Sequence, residues 1–307
     1  MKYFCLFYLV LVVALQAPIH AQSKKNEIIL CIDPGHGGKE PGKPSTRGMK
    51  LEKELNLAIA KLLGNYIDSL IDGVTVIYTR TEDTFVTLDE RVNFANQKKA
   101  DFFLSIHCNS NKNPQIYGTR THVHSYDFDA SRELAMRIEK EFGTRASRKS
   151  RGIMDASDRG HNLFVLQYTD MPAVLIEAGF MSNTKEERYL NSVYGQEILA
   201  SAIFRAFRDF IQTEHLIGNR ATVFKVQIGV ANTPLKNIAH DKKFKKLGLR
   251  VVEHRAKGKY KYAYMVGREY TKAAATKLLN QIKQAGIKDA YIVSMTNAES
   301  KRHRILE

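Results

Sequence analysis

The stretch Ile28–Gly38, IILCIDPGHGG, decides the fold of the first part of the chain. Its apolar and β-branched beginning, Ile28–Ile32, predicts a short buried strand that gives way to a loop at Asp33–Gly38. His36 then lies at the carboxyl end of a strand, where open α/β sheets place their sites. One histidine in a glycine-rich turn is equally consistent with an ordinary polar loop residue, so its importance depends on its partners.

Downstream of this stretch, apolar strands alternate with helices of 3.6-residue periodicity. The predicted strands are Val74–Tyr78, Asp101–His107, Gly118–Ser125 and Ala173–Ile176, and the predicted helices are Leu51–Leu70, Thr87–Lys98, Ala130–Phe142, Lys185–Leu190 and Val193–Gln212. Residues Arg145–His161 are basic and polar, and they predict a loop. This alternation predicts an α/β domain with a layered, twisted and largely parallel sheet flanked by helices.

Side chains that can bind metal end three of the predicted strands. They are His36, His107 and Glu177, and Glu52 stands in the first turn of the helix after the first strand. If the strands are parallel neighbours, the four side chains converge at one edge of the sheet. Two imidazoles and a carboxylate form a known catalytic zinc set, and a remaining carboxylate can act as general base and acid. Taken singly, Glu52 is better explained as a charge at a helix N-terminus and His107 as a buried structural histidine. The occurrence of all four residues at one edge of the sheet favours a catalytic metal site.

Three further histidines are candidates for the same site. His122 and His124 are two residues apart and share a face if they lie on a strand, so they form a competing pair of ligands. No third ligand lies near them in the sequence, and we expect them to line the site or to lie on the surface. His161 either contacts substrate or is solvated, and the sequence leaves both readings open.

The N-terminus has the pattern of a secretory signal peptide. Lys2 precedes an apolar run, Phe4–Leu15, that is too short to span a bilayer, and small residues end at Ala21. We therefore expect cleavage after Ala21, export, and no stable membrane span in the mature protein. Because an oxidising compartment permits disulfides, pairing of Cys31 with Cys108 and two buried free thiols both remain open.

The charge of the chain is concentrated in its C-terminal part. The 307 residues are 44% hydrophobic and 26% charged, which is a globular composition with room for two domains. Residues 221–307 hold 19 of the 47 Lys and Arg but only 6 of the 32 Asp and Glu. This imbalance indicates a separate module with an acidic partner. The predicted organisation is a signal peptide (1–21), a catalytic domain (22–213), a linker (214–220), a basic module (221–297) and a basic tail (298–307).

Four motifs resemble those of one enzyme family. They are DPGHGG at Asp33–Gly38, the pair Glu52-Lys53 at a helix start, the block Thr79–Asn109, and PAVLIEAGFMSN at Pro172–Asn183. In this order they are similar to the zinc-dependent N-acetylmuramoyl-L-alanine amidases of the Amidase_3 family, over about Glu27–Gln212. The resemblance implies a peptidoglycan hydrolase that cleaves the amide between N-acetylmuramic acid and the L-alanine of the stem peptide.

The resemblance also implies the roles of the site residues. It implies one catalytic Zn²⁺ held by His36, Glu52 and His107, with Glu177 as the catalytic glutamate. Regulated members of the family carry an inhibitory helix in a long insertion. The 69 residues between His107 and Glu177 leave little room for one, so Arg145–His161 is the only candidate regulatory loop. The need for an activator or divisome protein remains open.

The C-terminal part resembles a SPOR domain, a small α+β fold of the ferredoxin-like βαββαβ type. The matching segments are Phe224–Gly229, Leu249–Val252, Tyr262–Tyr270, Thr271–Ala285 and Ala290–Val293. The resemblance implies binding to septal glycan strands stripped of stem peptides. In FKVQIGV the apolar side chains alternate with Lys225 and Gln227, which are therefore the expected glycan contacts. Tyr260, Tyr262 and Tyr264 share a face that suits either packing or sugar stacking.

Together these features predict a periplasmic zinc amidase that acts at the division septum in daughter-cell separation. Cleavage frees a lactyl carboxylate, so a basic module would favour the anionic product strand. One alternative is a non-catalytic septal wall-binding protein, and another is a zinc peptidase that cuts within stem peptides. The signal peptide argues against a nucleic-acid partner, and so does the absence of an RNA-binding aromatic signature.

Overall fold

A computed structural model describes residues 28–45, 47–213, 222–235, 237–238, 241–256, 259–300 and 303–306. The predicted signal peptide (1–21) and linker (214–220) lie outside the described residues. Within the described part, no helix combines the length and the apolar character needed to cross a bilayer.

A six-stranded sheet forms the centre of the first domain. Its strands are β1 (Ile28–Pro34), β2 (Val74–Tyr78), β3 (Phe102–Asn109), β4 (Thr119–His122), β5 (Ser150–Met154) and β6 (Ala173–Phe180). They are arranged in the order β2-β1-β3-β6-β4-β5. The first four strands in this order are parallel, whereas β4 runs antiparallel to β6 and β5 runs parallel to β4. The predicted largely parallel sheet is confirmed.

Helices cover both faces of this sheet. They are α1 (Glu52–Leu70), α2 (Leu88–Gln97), α3 (Asp129–Thr144), α4 (Ala156–Arg159), α5 (Phe164–Tyr168), α6 (Thr184–Asn191) and α7 (Val193–Thr213). The larger core lies under α1, α3 and α7, with Leu55, Leu134 and Phe207 fully buried. A smaller core around Phe103 and Val165 lies under α2 and α5 on the opposite face. The layered α/β architecture is therefore as predicted.

The segment Arg145–His161 differs from its expectation as a loop. It contains the edge strand β5 and the short helix α4. Ser150 of β5 donates a hydrogen bond to Glu139 of α3, at 2.5 Å, which ties the strand to the helix beneath it. An edge strand with few apolar side chains lacks the alternation that identifies a strand in sequence.

The C-terminal domain is a small α+β unit. Its elements are β7 (Thr222–Ala231), α8 (Lys242–Lys246), β8 (Val252–Arg255), β9 (Tyr262–Glu269), α9 (Lys272–Gln284), β10 (Tyr291–Thr296), α10 (Asn297–Ser300) and β11 (His303–Ile305). The strands form an antiparallel sheet in the order β10-β7-β9-β8-β11. The βαββαβ order is confirmed, with β11 added at one edge.

The two domains meet at the amino-terminal ends of the central parallel strands. Arg268 of β9 pairs with the buried carboxylate of Asp101, next to the start of β3, and donates to the carbonyl of Ala100 at 2.9 Å. The ring of Tyr270 stacks on Phe102, with centroids 5.7 Å apart. The C-terminal domain therefore contacts the end of the sheet opposite to the one at which the predicted site residues lie.

Candidate functional site

The loop after β1 has an unusual backbone that two buried arginines hold in place. His36 has a φ of 61°, a conformation that is uncommon for a residue other than glycine. Arg80 donates to the carbonyls of Pro34, at 2.8 Å, and Gly35, at 3.0 Å. Arg91 donates to the carbonyl of His36 at 2.8 Å. These bonds satisfy carbonyls that no strand or helix pairs, and they fix the position of the His36 side chain.

Asp33 anchors the same loop from below. Its carboxylate lies 2.6 Å from Arg91 and accepts hydrogen bonds from Thr79, at 2.5 Å, and Ser105, at 2.7 Å. Burial favours a raised pKa for Asp33, but the charge of Arg91 and these hydrogen bonds outweigh it and lower the pKa below its usual value. Neither Arg80 nor Arg91 is identifiable as part of the site from the sequence. The unpaired carbonyls of a DPGHGG loop are the one signal that indicates a need for such donors.

Glu52 enters the site from the first turn of α1. Its Oε2 accepts a hydrogen bond from the backbone of Lys43, at 2.7 Å, and its Oε1 accepts one from the backbone of Cys108, at 3.1 Å. These two bonds set the orientation of the carboxylate. The side chain is buried, so it requires partners of this kind.

His107 lies near the end of β3 and packs directly against Gly35. A Cβ atom at Gly35 would lie 2.1 Å from Nε2 of His107, so only glycine permits this approach. The rings of His36 and His107 meet edge to face, with centroids 4.9 Å apart. The glycines of the loop therefore bring the two imidazoles together.

The three side chains converge on a small volume. Oε1 of Glu52 is 3.3 Å from Nε2 of His36 and 3.1 Å from Nδ1 of His107. One ligand atom from each residue lies within 4.8 Å of the other two. Burial favours a raised pKa for Glu52, but hydrogen bonds from His107 and His36 lower it strongly. Burial favours a lowered pKa for His107, but Glu52 raises it. An ionised, buried carboxylate beside two imidazoles can bind a cation.

Glu177 stands beside this group on the neighbouring strand. The register of β3 with β6 places it directly opposite His107. Burial raises the pKa of Glu177 to about 7, with His107 opposing the shift and Glu52 adding to it. Its Oε2 atom is shielded from solvent and has no hydrogen-bond partner among the described residues. A buried carboxylate oxygen without a partner is costly, which indicates that a group outside the chain completes the site.

The donor set fits a divalent transition metal. Two imidazole nitrogens and one carboxylate oxygen are the protein ligands of one class of catalytic zinc site, which leaves a fourth position open. Backbone donors orient Glu52, as expected for a supported metal ligand. His36 is partly exposed, so the group is open to solvent on one side. The residues present therefore fit the cofactor that the motifs imply.

The competing histidines lie elsewhere. His122 is buried, and its Nδ1 lies 3.1 Å from a guanidinium nitrogen of Arg159. Burial, together with Arg159 and Arg120, lowers the pKa of His122 to about 3. His124 stacks on Phe128, and His161 is exposed. Among the described residues, none of these three histidines belongs to a group with metal-binding geometry.

The two cysteines are free thiols on opposite faces of the sheet. Cys31 is part of the smaller core and Cys108 is part of the larger one. Burial raises the pKa of each thiol well above its usual value. Of the two readings that the sequence left open, the structure has the buried free thiols.

The expected glycan contacts of the C-terminal domain do not have the predicted exposure. Lys225 is 3% exposed and Gln227 is 8% exposed. Lys225 lines a cavity of about 80 Å³ between the domains, together with Asp170 and Arg268. Gln227 donates a hydrogen bond to the hydroxyl of Tyr291. In this arrangement Lys225 faces the catalytic domain and Gln227 is buried, so their role in glycan binding stays a prediction.

The structure assigns a role to one of the three tyrosines in or before β9. Tyr264 is fully buried, donates to Glu253 at 3.0 Å and accepts from the backbone of Leu235 at 2.7 Å. It is therefore a packing residue. Tyr260, which precedes the strand, is 39% exposed and Tyr262 is half-buried, so both retain surface open to a ligand.

Comparisons with known proteins agree on one family. The family described as N-acetylmuramoyl-L-alanine amidase matches residues 30–209. The amidase LytC of Bacillus subtilis is 34% identical over 187 residues, which are 60% of this chain and 36% of LytC. The amidase CwlM of Bacillus licheniformis is 35% identical over 214 residues, which are 66% of this chain and 75% of CwlM. The chain thus spans little more than a third of the length of LytC.

Solved structures give the same result. An N-acetylmuramoyl-L-alanine amidase from Clostridium difficile 630 is 34% identical, with a TM-score of 0.58, and the alignment covers 61% of this chain and 98% of that one. The family match, over residues 30–209, contains most of β1, all of β2 to β6, and His36, Glu52, His107 and Glu177. The chain therefore belongs to the N-acetylmuramoyl-L-alanine amidase family, and residues 30–209 form an enzyme domain of that class.

Proposed function

We propose that the protein is a zinc-dependent peptidoglycan hydrolase that cleaves the amide between N-acetylmuramic acid and the L-alanine of the stem peptide. His36, Glu52 and His107 hold the zinc ion, and Glu177 is the catalytic residue. The observation that supports this proposal is the convergence of the three ligand atoms within 4.8 Å, beside the unpartnered Oε2 of Glu177.

The roles of the side chains follow from their positions. Zinc, when bound, supplies a Lewis acid for the carbonyl oxygen of the scissile amide and lowers the pKa of water. Glu177 accepts a proton from the attacking water and donates it to the departing amine nitrogen of L-alanine. Glu52 is held by the backbone of Lys43 and Cys108, and His107 by its packing on Gly35, so the site is organised before substrate arrives.

The location and the second domain belong to the same proposal. The protein acts outside the cytoplasm, consistent with the signal-peptide pattern at residues 1–21 and with the description of one relative as a probable cell wall amidase. The basic C-terminal domain binds glycan strands stripped of stem peptides and concentrates the enzyme at the septum, where it contributes to daughter-cell separation. Its fold and its excess of Lys and Arg support this assignment.

The test is digestion of purified sacculi by the mature, zinc-loaded protein, with soluble products identified by mass. The proposal expects release of intact stem peptides with an N-terminal alanine. Glu177→Gln should still bind zinc, but its rate of peptide release should fall at least a hundredfold. General acid–base catalysis typically contributes a factor of about 10² to 10⁴ to a rate. Glu197→Gln, which removes an exposed carboxylate from α7, is the matched control and should retain full activity.

Two outcomes would replace the proposal. Fragments cut within the stem peptide would assign the protein as a zinc peptidase. Binding to sacculi with no release by the wild-type protein would assign it either as a wall-binding protein or as an amidase that requires an activator.

A further inference from the structure

An arginine stands opposite the proposed catalytic glutamate, on the next strand of the sheet. Arg120 of β4 is the register partner of Glu177 of β6 in an antiparallel pair. Directly opposed residues in such a pair project from the same face, with strands about 4.8 Å apart. Since Glu177 is also opposite His107 of β3, the three residues form a row across three neighbouring strands.

The hydrogen bonds of the flanking residues confirm which face Arg120 occupies. Thr119 and Thr121 both donate to the buried carboxylate of Glu139, at 3.0 and 2.8 Å, on the side covered by α3. Alternation along β4 then places Arg120 and His122 on the opposite face, which is that of Glu177. The hydrogen bonds of the two threonines fix which face of β4 lies towards α3.

Arg120 makes no direct polar contact with the described residues, and its charge acts on Glu139 only at a distance. Its side chain is only partly buried, and no hydrogen bond or ion pair connects it to any residue that the structure describes. The neighbouring basic groups Arg151 and Lys149 lie over the rings of Phe180 and Tyr117. A half-buried arginine at a position that borders the site can bind an anion from outside the chain with two parallel hydrogen bonds.

The order of the row indicates where this anion lies on the substrate. The proposed metal ligands occupy β1, α1 and β3, Glu177 follows on β6, and Arg120 comes next on β4. Glu177 protonates the leaving amine, so the amine end of the scissile amide must point towards β6. The peptide that begins at this amine then continues towards β4. An anion at Arg120 therefore belongs to the departing peptide and not to the sugar.

We propose that Arg120 is a specificity-determining residue that binds a free carboxylate near the N-terminus of the stem peptide. This inference rests on the proposed function. The nearest such group that a stem peptide can offer is the free α-carboxylate of its second residue, which is absent when that position carries a carboxamide. The enzyme is therefore selective for stem peptides with the free carboxylate.

The test compares two soluble muramoyl peptides that differ only in a carboxylate or a carboxamide at the second residue of the stem. We expect the wild-type protein to prefer the carboxylate by roughly tenfold to a hundredfold in kcat/KM, as for a charge-assisted pair. In Arg120→Gln the preference should fall to about one, through a higher KM for the carboxylate substrate, with the carboxamide substrate unaffected. Activity on the carboxamide substrate also shows that the variant is folded.

Two further variants sharpen the comparison. Arg120→Lys keeps the charge but loses the planar fork, so its preference should be intermediate. Arg145→Gln removes the same charge from an exposed position on the C-terminal side of α3 and should keep the wild-type preference. Release from both substrates with an unchanged preference in Arg120→Gln would overturn this inference alone. No release from either substrate by the wild-type protein would overturn the proposed function and this inference with it.

Discussion

Arg91 and Asp33 form an ion pair beneath the candidate site, 2.6 Å apart, with side chains that are 3% and 1% exposed. The pair connects α2 to the end of β1, and the same guanidinium holds the carbonyl of His36. The same ion pair therefore stabilises the domain and holds the backbone of the candidate site in position.

Removing one member of this pair should be costly. Arg91→Met leaves the Asp33 carboxylate buried without its partner, so we expect the free energy of unfolding to fall by about 3–5 kcal/mol. Urea denaturation followed by circular dichroism measures the change. Arg145→Met, at a side chain that is 59% exposed, is the control and should change stability by less than about 0.5 kcal/mol. Equal effects of the two substitutions would contradict a structural role for the pair.

The same pair predicts a dependence of stability on pH. The folded-state pKa of Asp33 is lower than its usual value, so its contribution is complete above the unfolded-state pKa of about 3.9 and is lost as pH falls through the folded-state value. Asp33→Asn has no such titration. The difference in unfolding free energy between wild type and Asp33→Asn should be constant from pH 7 to about pH 5 and should shrink on further acidification. A difference that stays constant down to pH 2 would show that Asp33 is not the titrating group.

Metal binding should depend on His36 and not on His161. His36→Ala removes one of the three proposed ligands from a partly exposed position, at little structural cost. We expect zinc affinity to fall by at least about a hundredfold, since even residues that only orient a ligand contribute 10–100-fold. Competition with a chromophoric chelator gives the affinities. His161→Ala, at an exposed histidine outside the group, should bind one zinc ion as tightly as wild type.

Two glycines of the loop before α1 provide a matched pair. Gly42 and Gly48 have φ values of +66° and +67°, so alanine is equally strained at both. A Cβ at Gly42 would lie 2.6 Å from Oε2 of Glu52 and from Cδ2 of His36, whereas a Cβ at Gly48 has nothing within 4 Å. Gly42→Ala should therefore weaken zinc binding by roughly tenfold or more. Gly48→Ala should carry only the backbone strain that both variants have in common. Its Tm should therefore fall by a similar amount, but its zinc affinity should not change.

Contact between the two domains can be tested at Gly248. A Cβ at this position would lie 2.1 Å from Nε2 of His124 in the catalytic domain. Gly248→Ala should therefore separate the domains and increase the radius of gyration of the full chain in small-angle X-ray scattering. Gly286 has a similarly positive φ, and its Cβ would be 3.6 Å from the flexible end of Lys243, so Gly286→Ala is the control. Identical scattering from the two variants would argue against the observed docking.

Convergence of the site was predictable because it depends on strand direction. Parallel strands present their carboxyl ends at one edge, so His36, His107 and Glu177 could be brought together from their positions at the ends of apolar runs. Glu52 was identified because a helix that follows the first strand begins at the same edge. The largely parallel sheet follows equally from local patterns, whereas the βαββαβ order of the second domain was expected from the resemblance to a SPOR domain.

What was missed depends on contacts between distant parts of the chain. Arg80 and Arg91 look like surface charges in the sequence, yet both are buried because the loop carbonyls need donors. Lys225 lies on the face of β7 that the alternation predicts, but a neighbouring domain covers that face. The edge strand β5 obtains its pairing from β4 and its support from Glu139, and neither is visible in a basic, polar segment. A local sequence pattern predicts which face of a helix or strand a residue occupies. Only the tertiary structure shows what that face contacts.

Asp101 and His107 stand near the two ends of a single strand, six residues apart in sequence, or about 20 Å along the chain. One contacts the C-terminal domain and the other contacts the cluster around Glu52. The contact with the C-terminal domain and the candidate metal site therefore lie at opposite ends of the same strand. Under the proposed function, binding of one glycan strand by the C-terminal domain would leave the candidate site accessible to a neighbouring strand.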